Sequence, residues 1–253
     1  MQTPNGRIRI FQRKEKTETA VSAHPRTAAI VVAAGGSTRM GVPKQLIPLL
    51  GIPVIARTLM AFNAAQNIDE IVLVARPADL LNFYDICKTY GITKVTNILQ
   101  GGETRQKSVM RGVYAASDLT AYFAIHDGAR PLIRPTVIDE ITAAAYACGA
   151  AAAGVPVKDT IKMVDENGMI VSTPDRRFLW NVQTPQVFER RLYLNALRCA
   201  DAVGAEYTDD CQLVEQMGHP VRLLQGDYAN IKITTPEDVA FAEGILRERG
   251  ERF

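Results

Sequence analysis

Hydrophobic and polar positions along the chain follow two alternating spacings. Short runs of Val, Ile and Ala fit strands buried on both faces. Between them, apolar residues recur every three or four positions, as on one face of a helix. The pattern predicts a strand at 28–34 and a helix at 53–65, with Val54, Ile55, Leu59 and Phe62 on its buried face. It continues with a strand at 70–75, a helix at 78–88, a strand at 94–98 and a helix at 104–116. A strand at 121–125 runs into His126–Asp127, and a helix at 135–147 and a strand at 151–157 follow. Strands alternating with helices of ordinary length predict a mostly parallel sheet covered on both faces.

The alternation breaks after Val157. Segments 160–164 and 169–173 flank an Asn167–Gly168 pair that favours a hairpin turn. A two-stranded ribbon is marginal alone, so this one is expected to pack against the main body or another subunit. Helices at 188–200 and 209–216 and a strand at 220–225 resume the pattern. The last helix has Thr235 to cap it, Pro236 at its first position and Asp238 at its third. No repeat or second core is evident. The chain divides into an N-terminal extension, 1–26, and one domain, 27–253, that includes an arm at about 157–175.

Composition narrows the class. The 253 residues are 47% hydrophobic with a net charge of +2, which suits a globular domain and gives no argument for nucleic acid as a partner. Cys87, Cys148, Cys199 and Cys211 lack metal-ligand spacing and read as buried thiols. No apolar run reaches membrane-spanning length, and residues 1–26 lack the sustained apolar segment of a secretory signal. A cytoplasmic location is expected.

The candidate chemistry opens at residues 30–48, IVVAAGGSTRMGVPKQLIP. An apolar strand ends in two glycines, and Arg39 and Lys44 follow within a few positions. Small residues let backbone N–H groups approach an anion, and the two cations can stabilise charge on transferring phosphoryl oxygens. The loop matches neither GxxxxGK[ST] nor GxGxxG. Taken alone, its glycines equally fit a structural turn. Asp127, at the end of an apolar strand, suits an active-site crevice, where it could take ribose hydroxyls or help hold Mg²⁺. A helix cap is its structural alternative. Arg130 offers a phosphate fork or a surface ion pair. His126 reads as structural, because an attacking phosphate needs no base.

The run AAGGSTRMGVPKQ resembles the opening motif of the 2-C-methyl-D-erythritol 4-phosphate cytidylyltransferase family. The likeness continues through GGETRQKSV, IHDGARP, PVKDTIK, DRRFLWNVQTPQVF, TDD and NIKITTPED, in family order, from about residue 28 to residue 243. The resemblance implies a three-layer α/β/α fold of the nucleotide-diphospho-sugar-transferase type, with a protruding β arm that joins two subunits. It implies transfer of a cytidylyl group from CTP to 2-C-methyl-D-erythritol 4-phosphate, with Mg²⁺ as cofactor.

By the same resemblance, Ala33, Ala34, Gly35, Gly36, Gly101, Gly102, Glu103, Arg105, Ser108, Asp127 and Gly128 form the nucleotide site. Arg39, Lys44, Arg176 and Lys232 are the catalytic cations. Asp127, Arg130, Thr160, Arg176, Thr184, Thr208, Asp209 and Lys232 serve the acceptor, and Asp127 the metal. Asp209 and Asp210 also fit helix N-terminal acids, and Trp180 a packing anchor. The departures are local: HDGARP where the family often has HDAARP, and a short stretch between Met40 and Pro43. Ribitol 5-phosphate is the nearest alternative acceptor, and a non-catalytic nucleotide-binding module is the alternative of another class. The retained cations argue against the module.

Overall fold

The computed structural model describes residues 7–9, 24–36 and 43–251. β1 (Arg7–Arg9) precedes β2 (Thr27–Ala33), a single 3-10 turn at Lys44–Leu46, and the small hairpin of β3 (Pro48–Leu49) and β4 (Ile52–Pro53). Then come α1 (Val54–Ala64), β5 (Glu70–Ala75), α2 (Leu80–Thr89), β6 (Val95–Gln100), α3 (Arg105–Ala115), β7 (Tyr122–Asp127) and α4 (Pro135–Cys148). The second half holds β8 (Ala150–Pro156), β9 (Met163–Val164), β10 (Ile170–Ser172), β11 (Trp180–Glu189), α5 (Arg190–Ala202), α6 (Asp210–Glu215), β12 (Arg222–Gln225) and α7 (Pro236–Glu248).

The main sheet has the order β1-β6-β5-β2-β7-β11-β8-β12. β6, β5, β2 and β7 run parallel, and so do β8 and β12. β11 is antiparallel to both its neighbours, and β1 is antiparallel to β6. Burial on both faces explains the continuous apolar strands: Ala28, Ala29, Ile30 and Val31 of β2 are all fully buried. One face is covered by Ile55, Leu59, Phe83, Ile138 and Ile141 from α1, α2 and α4. Val109, Val113, Tyr193, Leu197 and Leu213 from α3, α5 and α6 cover the other. The architecture is the expected α/β one, with a mixed, mostly parallel sheet.

β11 was not expected from the pattern, which left 176–187 unassigned and began a helix at 188. The reason is polarity. Gln183, Thr184 and Gln186 are buried but polar, and they bond to loops and side chains rather than to an apolar layer. The pairing of β11 with β8 is interrupted between Val182 and Gln186, which accommodates Pro185 and its missing N–H. α5 starts later, where the Glu189 carboxylate accepts the Leu192 N–H. α7 begins as expected, with reciprocal capping between Thr235 and Asp238.

The hairpin forms where the sequence placed its turn, with shorter strands. Asp165 Oδ1 accepts the N–H groups of Asn167 and Met169, and Gly168 takes φ +79°. Residues 158–173 are all exposed, including Met163, Val164, Met169, Ile170 and Val171. At the opposite edge, Arg7 of β1 donates through Nε to Asn97 Oδ1 of β6 at 2.8 Å.

Candidate active site

The carboxyl ends of the parallel strands, with the start of α3, frame a cavity of about 220 Å³. Chain exit at the end of β2 supplies Ala34, Gly35 and Gly36. A Cβ on Gly35 or Gly36 would meet no atom of the described residues within 4 Å. The loop after β6 is different. A Cβ on Gly101 would lie 2.4 Å from Ala34 Cβ and 2.8 Å from Ser108 Oγ, so this glycine lets the two loops touch. Ser108 Oγ accepts the Gly102 N–H at 3.0 Å and donates to Thr104 O at 2.9 Å. Its hydroxyl pins the loop, and the residue lines the cavity. Thr104 caps α3 by accepting the Lys107 N–H.

A chain of opposite charges crosses the cavity. Lys232 Nζ donates to Asp127 Oδ2 at 2.6 Å, and Arg105 Nε donates to Asp127 Oδ1 at 3.1 Å. Arg105 Nη1 continues to Asp210 Oδ2 at 2.7 Å, whose other oxygen accepts the Tyr193 hydroxyl at 2.5 Å. Burial alone would raise the Asp127 carboxyl pKa, but Arg105 and Lys232 outweigh it and hold the group well below the usual carboxylate range. Burial opposes the Arg105 charge, and the attraction of Asp210 and Asp127 overcomes it. Both groups stay ionised at neutral pH, so the site is a fixed array of charge.

Behind Asp127, Thr184 Oγ1 accepts the Asp127 N–H at 3.1 Å and lies 3.0 Å from His126 Nδ1. Arg130 O, 3.3 Å from His126 Nε2, can only accept, so the neutral ring carries its proton on Nε2 and its Nδ1 accepts from the Thr184 hydroxyl. Thr184 is 4% exposed, and its hydroxyl holds the Asp127 backbone from inside the sheet.

His126 is fully buried, and that burial lowers its pKa from 6.5 to about 3, against the opposing pull of Asp127. Its imidazole is neutral at pH 7 and supplies no charge switch to the reaction. The unfolded chain takes up this proton near the ordinary value and the folded chain only near pH 3. The stability from keeping the ring neutral is therefore complete above the unfolded pKa and is lost as pH falls from 6.5 towards 3. Within that window the slope is about 1.4 kcal/mol per pH unit. Urea unfolding of a His126→Asn variant should show a flatter loss of stability from pH 6 to pH 4.5 than wild type. Equal slopes would assign the effect to other groups.

The cavity gathers Ala34, Gly35, Gly36, Lys44, Gly102, Glu103, Arg105, Ser108, Asp127 and Lys232 of the expected site. Ala33, Gly101 and Gly128 pack behind it, and a Cβ on Gly128 would lie 3.0 Å from Ile55 Cδ1. Arg130 is held aside, its Nη1 donating to Asn230 O at 2.8 Å. Arg39 lies outside the described residues, as does the short stretch after Met40. Thr160 and Arg176 are exposed at the arm and do not line the cavity, and Arg176 Nη1 donates to Lys158 O. Thr208 and Asp209 line a separate cavity of about 530 Å³ beside α6. Asp209 caps α6 through the Gln212 N–H and accepts Gln186 Nε2 at 2.9 Å.

Gln45, Gln186, Tyr193 and Asp210 were not singled out as site residues. Gln186 Oε1 accepts the N–H groups of Asp210 and Cys211, tying the start of α6 to β11. Only their places in PKQ, QTPQ and TDD could have signalled three of them, and Tyr193 has no such signal.

Among the described residues no three His, Cys, Asp or Glu side chains cluster at metal-binding distance. Both oxygens of Asp127 already face cations. This donor set fits an ion carried in on a triphosphate, with phosphate and water as most of its ligands, and does not form a protein cage.

A cation-lined cavity at this edge of such a sheet defines an α/β protein with an anion-binding crevice at the carboxyl ends of its strands. Residues 27–248 match the family model described as IspD: 2-C-methyl-D-erythritol 4-phosphate cytidylyltransferase, and the chain belongs to that family. The enzyme of that name from Caldanaerobacter subterraneus is 46% identical over 224 residues, covering 87% of this chain and 99% of its own. The one from Geobacillus thermodenitrificans is 47% identical over 224 residues, covering 87% and 97%. The solved 4-diphosphocytidyl-2C-methyl-D-erythritol synthase of Anaerococcus prevotii superposes with a TM-score of 0.80 at 32% identity, covering 88% of this chain and 96% of that one. The Thermus thermophilus 2-C-methyl-D-erythritol 4-phosphate cytidylyltransferase gives 0.71 at 31% identity, covering 88% and 99%.

Proposed function

We propose that this cavity transfers the cytidylyl group of CTP to 2-C-methyl-D-erythritol 4-phosphate. The products are 4-diphosphocytidyl-2-C-methyl-D-erythritol and pyrophosphate, on the non-mevalonate isoprenoid route. The observation that carries the reading is the convergence of Lys44, Arg105 and Lys232 on one cavity around Asp127, in a chain of this family. An oxygen of the acceptor phosphate attacks the α-phosphorus in line. The new P–O bond forms as the bond to the pyrophosphate oxygen breaks. The nucleophile is already anionic, so no proton has to be removed.

Each group has a part in this scheme. Lys44, with Arg39, stabilises charge on the triphosphate as the pyrophosphate leaves. Lys232 is aimed by Asp127 and orients the attacking phosphate. Arg105 is locked by Asp210 and keeps Asp127 in place. Mg²⁺ bound to the triphosphate would neutralise phosphate charge, with Asp127 as the carboxylate nearest to hand. Release of pyrophosphate with CTP, Mg²⁺ and the methylerythritol acceptor tests the nucleotide assignment. CTP should outperform UTP, ATP and GTP, and equal rates with UTP would defeat it.

The working unit in this reading is a homodimer joined through the arm at about 157–175. The apolar side chains of β9 and β10 are exposed, and Thr160 and Arg176 are exposed and do not line this chain's cavity. Exchange of arms would carry those two residues to the cavity of the other copy. Sedimentation at assay concentration should show a dimer, and full activity in a species that sediments as a monomer would reject the exchange. No helix among the described residues is long and apolar enough to cross a membrane, and a cytoplasmic location is part of the same proposal.

A further inference from the structure

Gln45 is the middle residue of the Lys44–Leu46 turn and is only 2% exposed. It lines the cavity with Lys44, Asp127, Ala129 and Lys232. Its Oε1 is buried and has no hydrogen-bond partner among the described residues. A buried acceptor without a donor destabilises the fold, and native proteins keep very few of them. The other polar groups around this cavity satisfy one another: Asp127 is shared by Arg105 and Lys232, and Ser108 by Gly102 and Thr104. Among the described residues that line the cavity, the amide oxygen of Gln45 is the buried polar atom without a partner.

The chemistry of the atom restricts what it can meet. A carbonyl oxygen accepts hydrogen bonds and is repelled by phosphate oxygens, so it suits a part of the substrate that carries a donor. A carboxamide is also uncharged. It can sit beside Lys44 and Lys232 without neutralising either, as a carboxylate would. On the cytidylyl-transfer reading, the cations take the phosphates and the Gly101–Gly102 loop takes the base. The donors left for this wall are hydroxyl groups, on the ribose of CTP or on the polyol acceptor.

We propose that Gln45 is a specificity-determining residue whose amide oxygen accepts a hydrogen bond from a substrate hydroxyl. The inference rests on the cytidylyl-transfer reading for the identity of the substrates. Binding of the correct substrate supplies this oxygen with a donor. A substrate lacking that hydroxyl would leave the oxygen buried and unpaired, which is how such a site discriminates most strongly.

Gln45→Met keeps the length of the side chain and removes the polar end. Thermal unfolding of the variant without ligand should be at or above the wild-type midpoint, because an unsatisfied group is gone. Calorimetry then separates the two sources. If the ribose supplies the donor, the variant binds CTP about tenfold more weakly. In that case 2′-deoxy-CTP or 3′-deoxy-CTP binds both proteins alike. If the acceptor supplies it, CTP binding is unchanged and the acceptor KM rises about tenfold. Pyrophosphate binding is the same in both proteins under either outcome.

Unchanged CTP affinity together with unchanged acceptor KM would overturn the assignment. So would pyrophosphate binding that falls in step with CTP, since the amide would then be holding phosphate. A crystal structure of the wild-type protein with CTP and acceptor decides the matter even if the variant folds poorly. Oε1 should lie within hydrogen-bond distance of a substrate hydroxyl, and an Oε1 facing only protein, water or phosphate would contradict it. Wild-type turnover with the methylerythritol acceptor is measured alongside, so failure of the substrate reading is seen separately from failure of the Gln45 assignment.

Discussion

Lys44→Ala should lower the catalytic constant by about 10²–10³-fold, while CTP binding weakens much less. The turn that carries Lys44 follows the glycine exit of β2 and places the residue on the cavity wall. Charge on the triphosphate becomes most concentrated on the leaving pyrophosphate during transfer. A fixed cation there is worth more in the transition state than in the ground state. Single-turnover pyrophosphate release, read with a separate measurement of the CTP dissociation constant, distinguishes the two. A catalytic constant that stays at the wild-type level would remove Lys44 from the chemistry. A loss confined to CTP affinity would make it a binding group only.

Asp127→Asn should lower kcat/KM for the acceptor by about 10²-fold without weakening CTP binding measured in the absence of Mg²⁺. The substitution keeps the shape of the side chain but removes the charge that Arg105 and Lys232 share. Lys232 then loses the ion pair that aims it, and a small displacement of an orienting group is costly. Arg105 keeps its second partner, Asp210, so the nucleotide side of the cavity is largely preserved. Removing a negative charge from an anion site also relieves repulsion, so CTP affinity should hold or improve. A parallel loss of CTP affinity and acceptor efficiency would show that Asp127 serves the nucleotide instead. Because the carboxyl is held far below its ordinary range, wild-type activity should show no limb from Asp127 between pH 5 and pH 8.

The sequence was most legible where burial is two-sided. β2 and β5 are continuous apolar runs because helices cover both faces of the sheet, and their positions follow directly from the pattern. β11 was hidden for the opposite reason. Its centre, Gln183–Thr184–Pro185–Gln186, is buried through hydrogen bonds to loops, and neither spacing nor polarity marks it as a central strand. The same chemistry places Thr184, a hydroxyl in a motif segment, against the Asp127 backbone, a contact that spacing does not express.

The cavity was partly legible. Lys44, Arg105, Asp127 and Lys232 lie far apart in sequence and meet in the fold, as the family motifs implied. What linear motifs cannot express is which group answers which. The line from Tyr193 through Asp210 and Arg105 to Asp127 depends on α5 and α6 packing beside β7 and β11, and Tyr193 alone looks like a core aromatic. Gln45 illustrates the same limit, since a glutamine beside a lysine gives no sign of being buried without a partner. The arm shows another: the Asn167–Gly168 turn was evident, but the length of its strands depends on what covers them.

The most direct test of cytidylyl transfer is ³¹P NMR of the purified protein with CTP, Mg²⁺ and one polyol phosphate at a time. 2-C-methyl-D-erythritol 4-phosphate should be converted to a diphosphate-linked cytidine product with equimolar pyrophosphate, far faster than ribitol 5-phosphate. Turnover with ribitol 5-phosphate alone would contradict the acceptor assignment, and no product with either acceptor would contradict the enzymatic reading itself.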